Sequence, residues 1–94
     1  MAVVYILHSK SIDKYYVGSC KNLAKRLEEH KSNELTKGFT KRATDWEVYF
    51  SIDSLERRQA REIESHIKRM KSRKYIENLA QYSELVAKLI EKYK

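Results

Sequence analysis

The 94 residues predict an α+β fold, a small three-stranded, mostly antiparallel sheet flanked by helices in the order ββαβα, with further helices at the C-terminus. Three observations lead there. Two runs rich in β-branched and aromatic residues, Ala2–His8 and Lys14–Gly18, lie close enough in sequence to form a hairpin. A third run, Trp46–Ile52, alternates in polarity as a half-buried strand does. Between and after these runs, apolar residues recur at helical spacing.

Taken in order, the first two strands are joined by the polar link Ser9–Asp13. Asn22 is a good N-cap, and Leu23, Leu27 and His30 follow at helical spacing, with Lys25 and Glu29 as an i,i+4 pair; the first helix is expected over Leu23–Lys31. Residues 32–44 are polar and basic, contain Gly38 and Phe39, and read as a loop carrying Lys37, Lys41 and Arg42. After the third strand, Ser54 is expected to cap a long helix whose stripe runs through Leu55, Ala60, Ile63, Ile67 and Met70. From Ser72 onward, Ile76 and Leu79, then Leu85 and Leu89, predict two short helices with a break near Gln81–Ser83. No proline, repeat or low-complexity linker interrupts the chain, so residues 1–94 are expected to form one domain, with a core over about 2–80 and a helical extension over 81–94.

Composition narrows the function. The net charge is +7, and the excess is distributed, +3 from residues 1–47 and +4 from residues 48–94, which favours polyanionic partners. The basic residues do not gather opposite an aromatic stripe, and no run approaches the length of a membrane span, so no membrane binding and a cytoplasmic location are expected. Cys20 is the only cysteine, which rules out an internal disulfide and a cysteine-rich zinc cage. His8, His30 and His66 fall on different elements, so a clustered zinc site is not expected either. With Gly18 and Gly38 as the only glycines, a Walker loop and a nucleophile elbow are both missing. What remains is a strand with Tyr5, a strand ending Tyr16-Val17-Gly18, a helix with Arg26 and His30, and a longer helix with Glu64. Taken singly these have plain readings: strand aromatics, a core-edge histidine, and solvated helix charges. Glu64, however, stands beside Ile63 and Ile67, at the edge of the buried stripe, where a cleft residue would sit.

The order and spacing of these residues resemble the GIY-YIG nuclease superfamily. Val3-Val4-Tyr5 stands where the family has GIY and Tyr16-Val17-Gly18 where it has YIG. Asn22-Leu23, Arg26-Leu27 and His30 follow its N-L-x-x-R-L-x-x-H pattern, and Trp46-Glu47-Val48-Tyr49 and Glu64 come next in order. The likeness covers roughly residues 2–80 and is strongest to small stand-alone bacterial members, including a basic segment from Ile67 to Lys74. Two departures stand out: Val3 replaces the first glycine, and Ser19 stands where the related excision-repair nuclease domain has a lysine. For a residue that the family often places late in the domain, this chain offers Asn78 or Lys74.

The resemblance implies a divalent-metal-dependent endonuclease acting on DNA phosphodiester bonds, structure-directed and serving DNA repair or recombination, with RNA left open as a substrate and a targeting protein as a further partner. It implies Glu64 as ligand of Mg²⁺ (or Mn²⁺), a hard cation content with one carboxylate, waters and substrate phosphate. Arg26 is implied as the planar fork on the phosphate, Tyr5 or Tyr16 as general base, and His30 as a hydrogen-bonding partner on the same helix. An unperturbed phenol is only ~0.1% ionised at pH 7, so either a neighbouring cation lowers the pKa of a tyrosine base or the metal-bound water ionises first. Gly18, Ser19, Lys21, Lys37, Lys41, Arg42, Lys68 and Lys74 are the expected nucleic-acid contacts. Two rival readings are a nucleic-acid-binding module with little catalysis of its own, and a protein-interaction domain using its C-terminal helices.

Overall fold

The computed structural model describes residues 1–31 and 45–94, with side chains for 1–28 and 45–94. The elements are β1 (Ala2–Ser9), β2 (Lys14–Cys20), α1 (Leu23–Lys31), β3 (Trp46–Leu55), α2 (Arg57–Met70), α3 (Arg73–Gln81) and α4 (Ser83–Lys92). The fold is α+β, with one antiparallel sheet of order β2-β1-β3, so β1 is central and β2 is an edge strand.

The central strand is buried on both faces, which explains why Ala2–Ser9 reads as a nearly continuous apolar run rather than an alternating one. One face carries Val4, Ile6, Val17, Ile52 and Leu55, covered by Ala60, Ile63 and Ile67 of α2, Ile76 and Leu79 of α3, and Leu89 of α4. The other carries Tyr5, Leu7 and Trp46, covered by Leu23 and Leu27 of α1. The sheet is thus the middle layer of three.

Helix signals act at three places, two of them, Asn22 and the break at Tyr82, as the sequence predicts. The Asn22 side chain accepts the Lys25 amide at 3.1 Å and starts α1. Ser72 accepts the Tyr75 amide at 3.1 Å and starts α3. Tyr82, in extended conformation, separates α3 from α4 inside the predicted break.

The predicted cap at Ser54 is overturned. The strand β3 runs on to Leu55, which is 2% exposed in the core, and α2 begins after Glu56, whose amide donates to the Gln59 side chain at 3.3 Å. Ser54 instead takes a left-handed backbone (φ 59°) in an irregularity where β3 has one residue more than β1. A second irregularity falls between Ile6 and Leu7, which pair with Phe50 and Val48. Together they switch the face that β3 buries, from Trp46 on the α1 side to Ile52 and Leu55 on the α2 side. Among the described residues, no helix is long and apolar enough to cross a membrane.

Candidate active site

The site lies at the free edge of the sheet, where β2 passes between α1 on one face and α2 on the other. Tyr5 pairs with Gly18 across the β1–β2 ladder, and its ring lies over the glycine. A Cβ added at Gly18 would stand 2.5 Å from the Tyr5 Oη and 2.6 Å from its Cζ, so no other residue type leaves room for the phenol there. This is the reason the structure gives for a glycine at this buried position. Tyr16, two residues back on β2 and half-buried, has its ring centroid 6.3 Å from that of Tyr5 and meets Trp46 edge-on at 6.4 Å.

On the α2 face, Glu64 is held from two sides. The Ser19 hydroxyl donates to its Oε1 at 2.5 Å, and the Lys68 ammonium, one turn along α2, donates to its Oε2 at 2.7 Å. The Glu64 side chain is 20% exposed, open enough to meet a ligand and enclosed enough to be fixed. Lys68 also lies 6.0 Å from the centroid of the Tyr16 ring, so one ammonium joins the carboxylate to the tyrosine pair across the strand edge. Strand alternation sends Ser19 to one face of β2 and Gly18 and Tyr16 to the other. The edge position of β2 is what lets the two sets meet.

Burial at 2% exposure pushes the Tyr5 phenol well above its ordinary pKa, and neighbouring Tyr16 adds to the rise, while the Arg26 guanidinium opposes it without prevailing. The lowering that a base at Tyr5 would need is not found: Arg26 acts in that direction, but desolvation is the larger effect. Near neutral pH, Tyr5 is a hydroxyl donor.

Arg26 lines a cleft of about 530 Å³ formed where the end of β2, the start of α1 and the first turns of α2 converge. Lys21, also expected to contact nucleic acid, lines the same cleft, as does Ser19. The Ser19 hydroxyl is committed to Glu64, so its direct phosphate contact gives way to a positioning contact. The cleft contains three cations that the sequence reading did not assign to nucleic acid, Lys25, Arg57 and Arg61. Their signal was present in the helical spacing: Arg57, Arg61, Glu64 and Lys68 follow one another at intervals of three or four residues, one face of α2.

The remaining expected residues do not join this cluster. Lys74 is exposed on α3, and Asn78, on the same helix, uses its carbonyl to accept the Tyr82 amide; neither lines the cleft at Arg26. His30 lies on α1, but its side chain is outside the described residues, as are Lys37, Lys41 and Arg42 altogether.

Among the described residues no group of three or more His, Cys, Asp or Glu side chains is disposed to enclose a metal. Glu64 presents a carboxylate at the sheet edge beside the tyrosine pair, held by Ser19. A hard divalent cation completed by water and phosphate oxygens fits such a donor, whereas a cation requiring an all-protein cage does not. For that cation to be held at Oε2, the Lys68 ammonium must move off it.

Searches of curated proteins and of solved structures return no significant match to the chain. The family model for the GIY-YIG catalytic domain matches residues 1–76. That span takes in the whole sheet, α1, all of α2 and the start of α3, and so every residue of the edge cluster. By this match the chain belongs to the GIY-YIG catalytic-domain family of nucleases.

Proposed function

We propose that the protein is a divalent-metal-dependent endonuclease that hydrolyses DNA phosphodiester bonds, choosing its substrate by structure more than by sequence. The observation that carries this reading is the Ser19–Glu64–Lys68 arrangement beside the tyrosine pair: a partly exposed carboxylate fixed at Oε1 by a hydroxyl, next to a cleft that holds Arg26. The family match supplies the nuclease chemistry.

In this reading Glu64 is the protein ligand of Mg²⁺ or Mn²⁺, which when bound lowers the pKa of water and offsets charge on the phosphate. Arg26 places its planar fork on the phosphate oxygens and stabilises the charge that grows there in the transition state. Tyr5, kept protonated by burial, donates a hydrogen bond from the floor of the site. Tyr16, half-buried and with the Lys68 ammonium 6.0 Å from its ring, takes the proton of the attacking water in its phenolate form and becomes the neutral phenol. Lys68, released from Glu64, is free to meet the strand. His30 is assigned to the phosphate or to a tyrosine on the strength of its place four residues after Arg26. Substrate choice by structure follows from size, because a specific interface buries ~1,000 Å² or more, a large share of one face of so small a domain.

The rival reading, a nucleic-acid-binding module, draws on the fact that both Glu64 oxygens are already engaged within the protein. Incubating single-stranded, duplex, flap and branched DNA with the wild type and with Glu64→Ala, in Mg²⁺, Mn²⁺ or EDTA, separates the two. Cutting that needs metal and disappears in the variant supports the enzyme; binding without cutting on every substrate supports the module.

A further inference from the structure

The cleft beside Arg26 holds more positive charge than hydrolysis at Glu64 uses. Five cations line it: Lys21, Lys25 and Arg26 from the start of α1, and Arg57 and Arg61 from the first turns of α2. No carboxylate is among its lining residues. Arg57 and Arg61 are exposed and form no ion pair with any described residue, unlike Arg58 beside them, which pairs with Glu62 at 3.9 Å.

Helix electrostatics adds an independent observation. The N-terminal turn of a helix carries the positive end of its dipole, so it favours acidic residues and disfavours cations. Neither α1 nor α2 has an acidic residue in its first turn; α1 carries Lys25 and Arg26 there, and α2 carries Arg57 and Arg58. Glu56 at the N-cap of α2 meets part of this conflict, α1 has no acid in its first turn, and the positive ends of both helices converge on one cavity. Local rules are broken in this way where function requires it, and an anion in the cleft removes the conflict for both helices at once.

The distance to the carboxylate fixes what kind of anion fits. Arg61 precedes Glu64 by three residues and Arg57 by seven, so at 1.5 Å per residue they stand roughly 4.5 and 10 Å back along the helix axis. Arg61 therefore stands nearest the phosphate beside the cut, and Arg57, one turn farther back, within reach of those beyond it.

We infer that this cleft binds the backbone phosphates one to three nucleotides to one side of the bond cut at Glu64, with Arg57 and Arg61 as the arginines that hold them. The inference rests on the proposed nuclease reading for the position of the cut and extends it to the path of the strand. Lys21 and Lys25 face the same phosphates from α1. The strand lies along one face of α2, passes Glu64, and leaves by Lys68.

The test is binding of a fluorescently labelled oligonucleotide in EDTA, where nothing is cut, over a series of salt concentrations. The wild type is compared with Arg57→Gln/Arg61→Gln and with Arg58→Gln, a neighbour outside the cleft. The double variant is expected to bind about 10- to 100-fold more weakly and to flatten the plot of log affinity against log salt by about 2, roughly 0.9 per lost phosphate contact. Arg58→Gln is expected to change each by far less. Oligonucleotides with one phosphate at a time replaced by neutral methylphosphonate locate the contact: the wild type is expected to lose affinity at one to three positions on one side of the mapped cut, and the double variant to be insensitive there. Equal losses in the double variant and in Arg58→Gln, or an unchanged salt slope with the double variant folded, would overturn the inference. Thermal unfolding checks folding, which these exposed side chains should leave unaltered. The nuclease reading fails separately, if the wild type binds yet cuts nothing when metal is supplied.

Discussion

Replacing Gly18 by alanine tests how the tyrosine pair is built. The new Cβ would stand 2.5 Å from the Tyr5 Oη, 2.6 Å from Cζ and 3.1 Å from Cε2, whereas ordinary contact requires about 3.5 Å. The ring must therefore move by about 1 Å. It has little room, being 2% exposed and packed with Leu7 and Trp46, both fully buried. Overpacking a closed core costs about 1–3 kcal/mol, which for a domain of this size lowers Tm by roughly 5–20 °C. Displacing a group near the reacting atoms by 1 Å lowers cleavage by up to ~100-fold. Urea unfolding followed by the fluorescence of Trp46, the single tryptophan and a member of the same cluster, measures the first effect directly. The cycle with Tyr5→Ala isolates the cause, because once the ring is gone Gly18→Ala should cost almost nothing. A Gly18→Ala protein within 0.5 kcal/mol of wild type, or a full penalty that persists in the Tyr5→Ala background, would refute the packing argument.

Other outcomes follow from single contacts. Ser19→Ala should leave Glu64 loosely placed and raise the Mg²⁺ concentration needed for half-maximal cleavage about 10-fold, with Ser19→Thr restoring it; a metal dependence equal to wild type in Ser19→Ala would count against the positioning role. Asp45, which accepts from Ser9 Oγ at 2.5 Å, the Ser11 amide at 2.9 Å and Ser11 Oγ at 3.0 Å, is held down to a pKa of about 2, chiefly by the Ser9 hydrogen bond. A depressed carboxylate stabilises the fold above its unfolded pKa of about 3.9 and loses that contribution as pH falls toward about 2, so Asp45→Asn should flatten acid unfolding across that window. His66, between the Tyr93 hydroxyl at 2.9 Å and the Tyr75 hydroxyl at 3.2 Å, has its pKa lowered, first by burial and then by Lys92 and Arg69. Because the folded protein resists protonating it, stability should be full above about pH 6.5 and fall as pH drops below that value, and NMR titration of His66→Gln against wild type would show whether the acid-side loss belongs to this ring.

Much of this architecture was legible because its signals are local. Asn22 caps α1 by a contact three residues long, and the break at Tyr82 follows from a lapse in helical spacing. Glu64 was readable as a cleft residue because Ile63 and Ile67 mark the buried stripe that it borders. The parts that were not legible depend on pairing across the sheet. The reach of β3 to Leu55 is set by two register irregularities, and these make Ser54 a bend in the strand instead of a cap. The hydrogen bond from Ser19 to Glu64 joins residues 45 apart, and nothing in either neighbourhood announces it. Tyr5 looked like a half-buried strand aromatic, and its burial depends on a glycine directly across the ladder. The cationic cleft needs two helix starts brought side by side, although the spacing of Arg57, Arg61, Glu64 and Lys68 on one face of α2 was visible in the sequence throughout.

The central claim, that Glu64 anchors a metal-dependent cut, is tested most directly by single-turnover cleavage of a DNA substrate by wild type and Glu64→Gln, with affinity measured in parallel in EDTA. Glutamine keeps the size and can still accept from Ser19, but it lacks the charge that holds the cation. The account predicts a cleavage rate at least ~1,000-fold lower with affinity kept within about threefold, a loss confined to chemistry. Wild-type cutting that persists in EDTA, or cutting by Glu64→Gln at a rate near that of wild type, would contradict it.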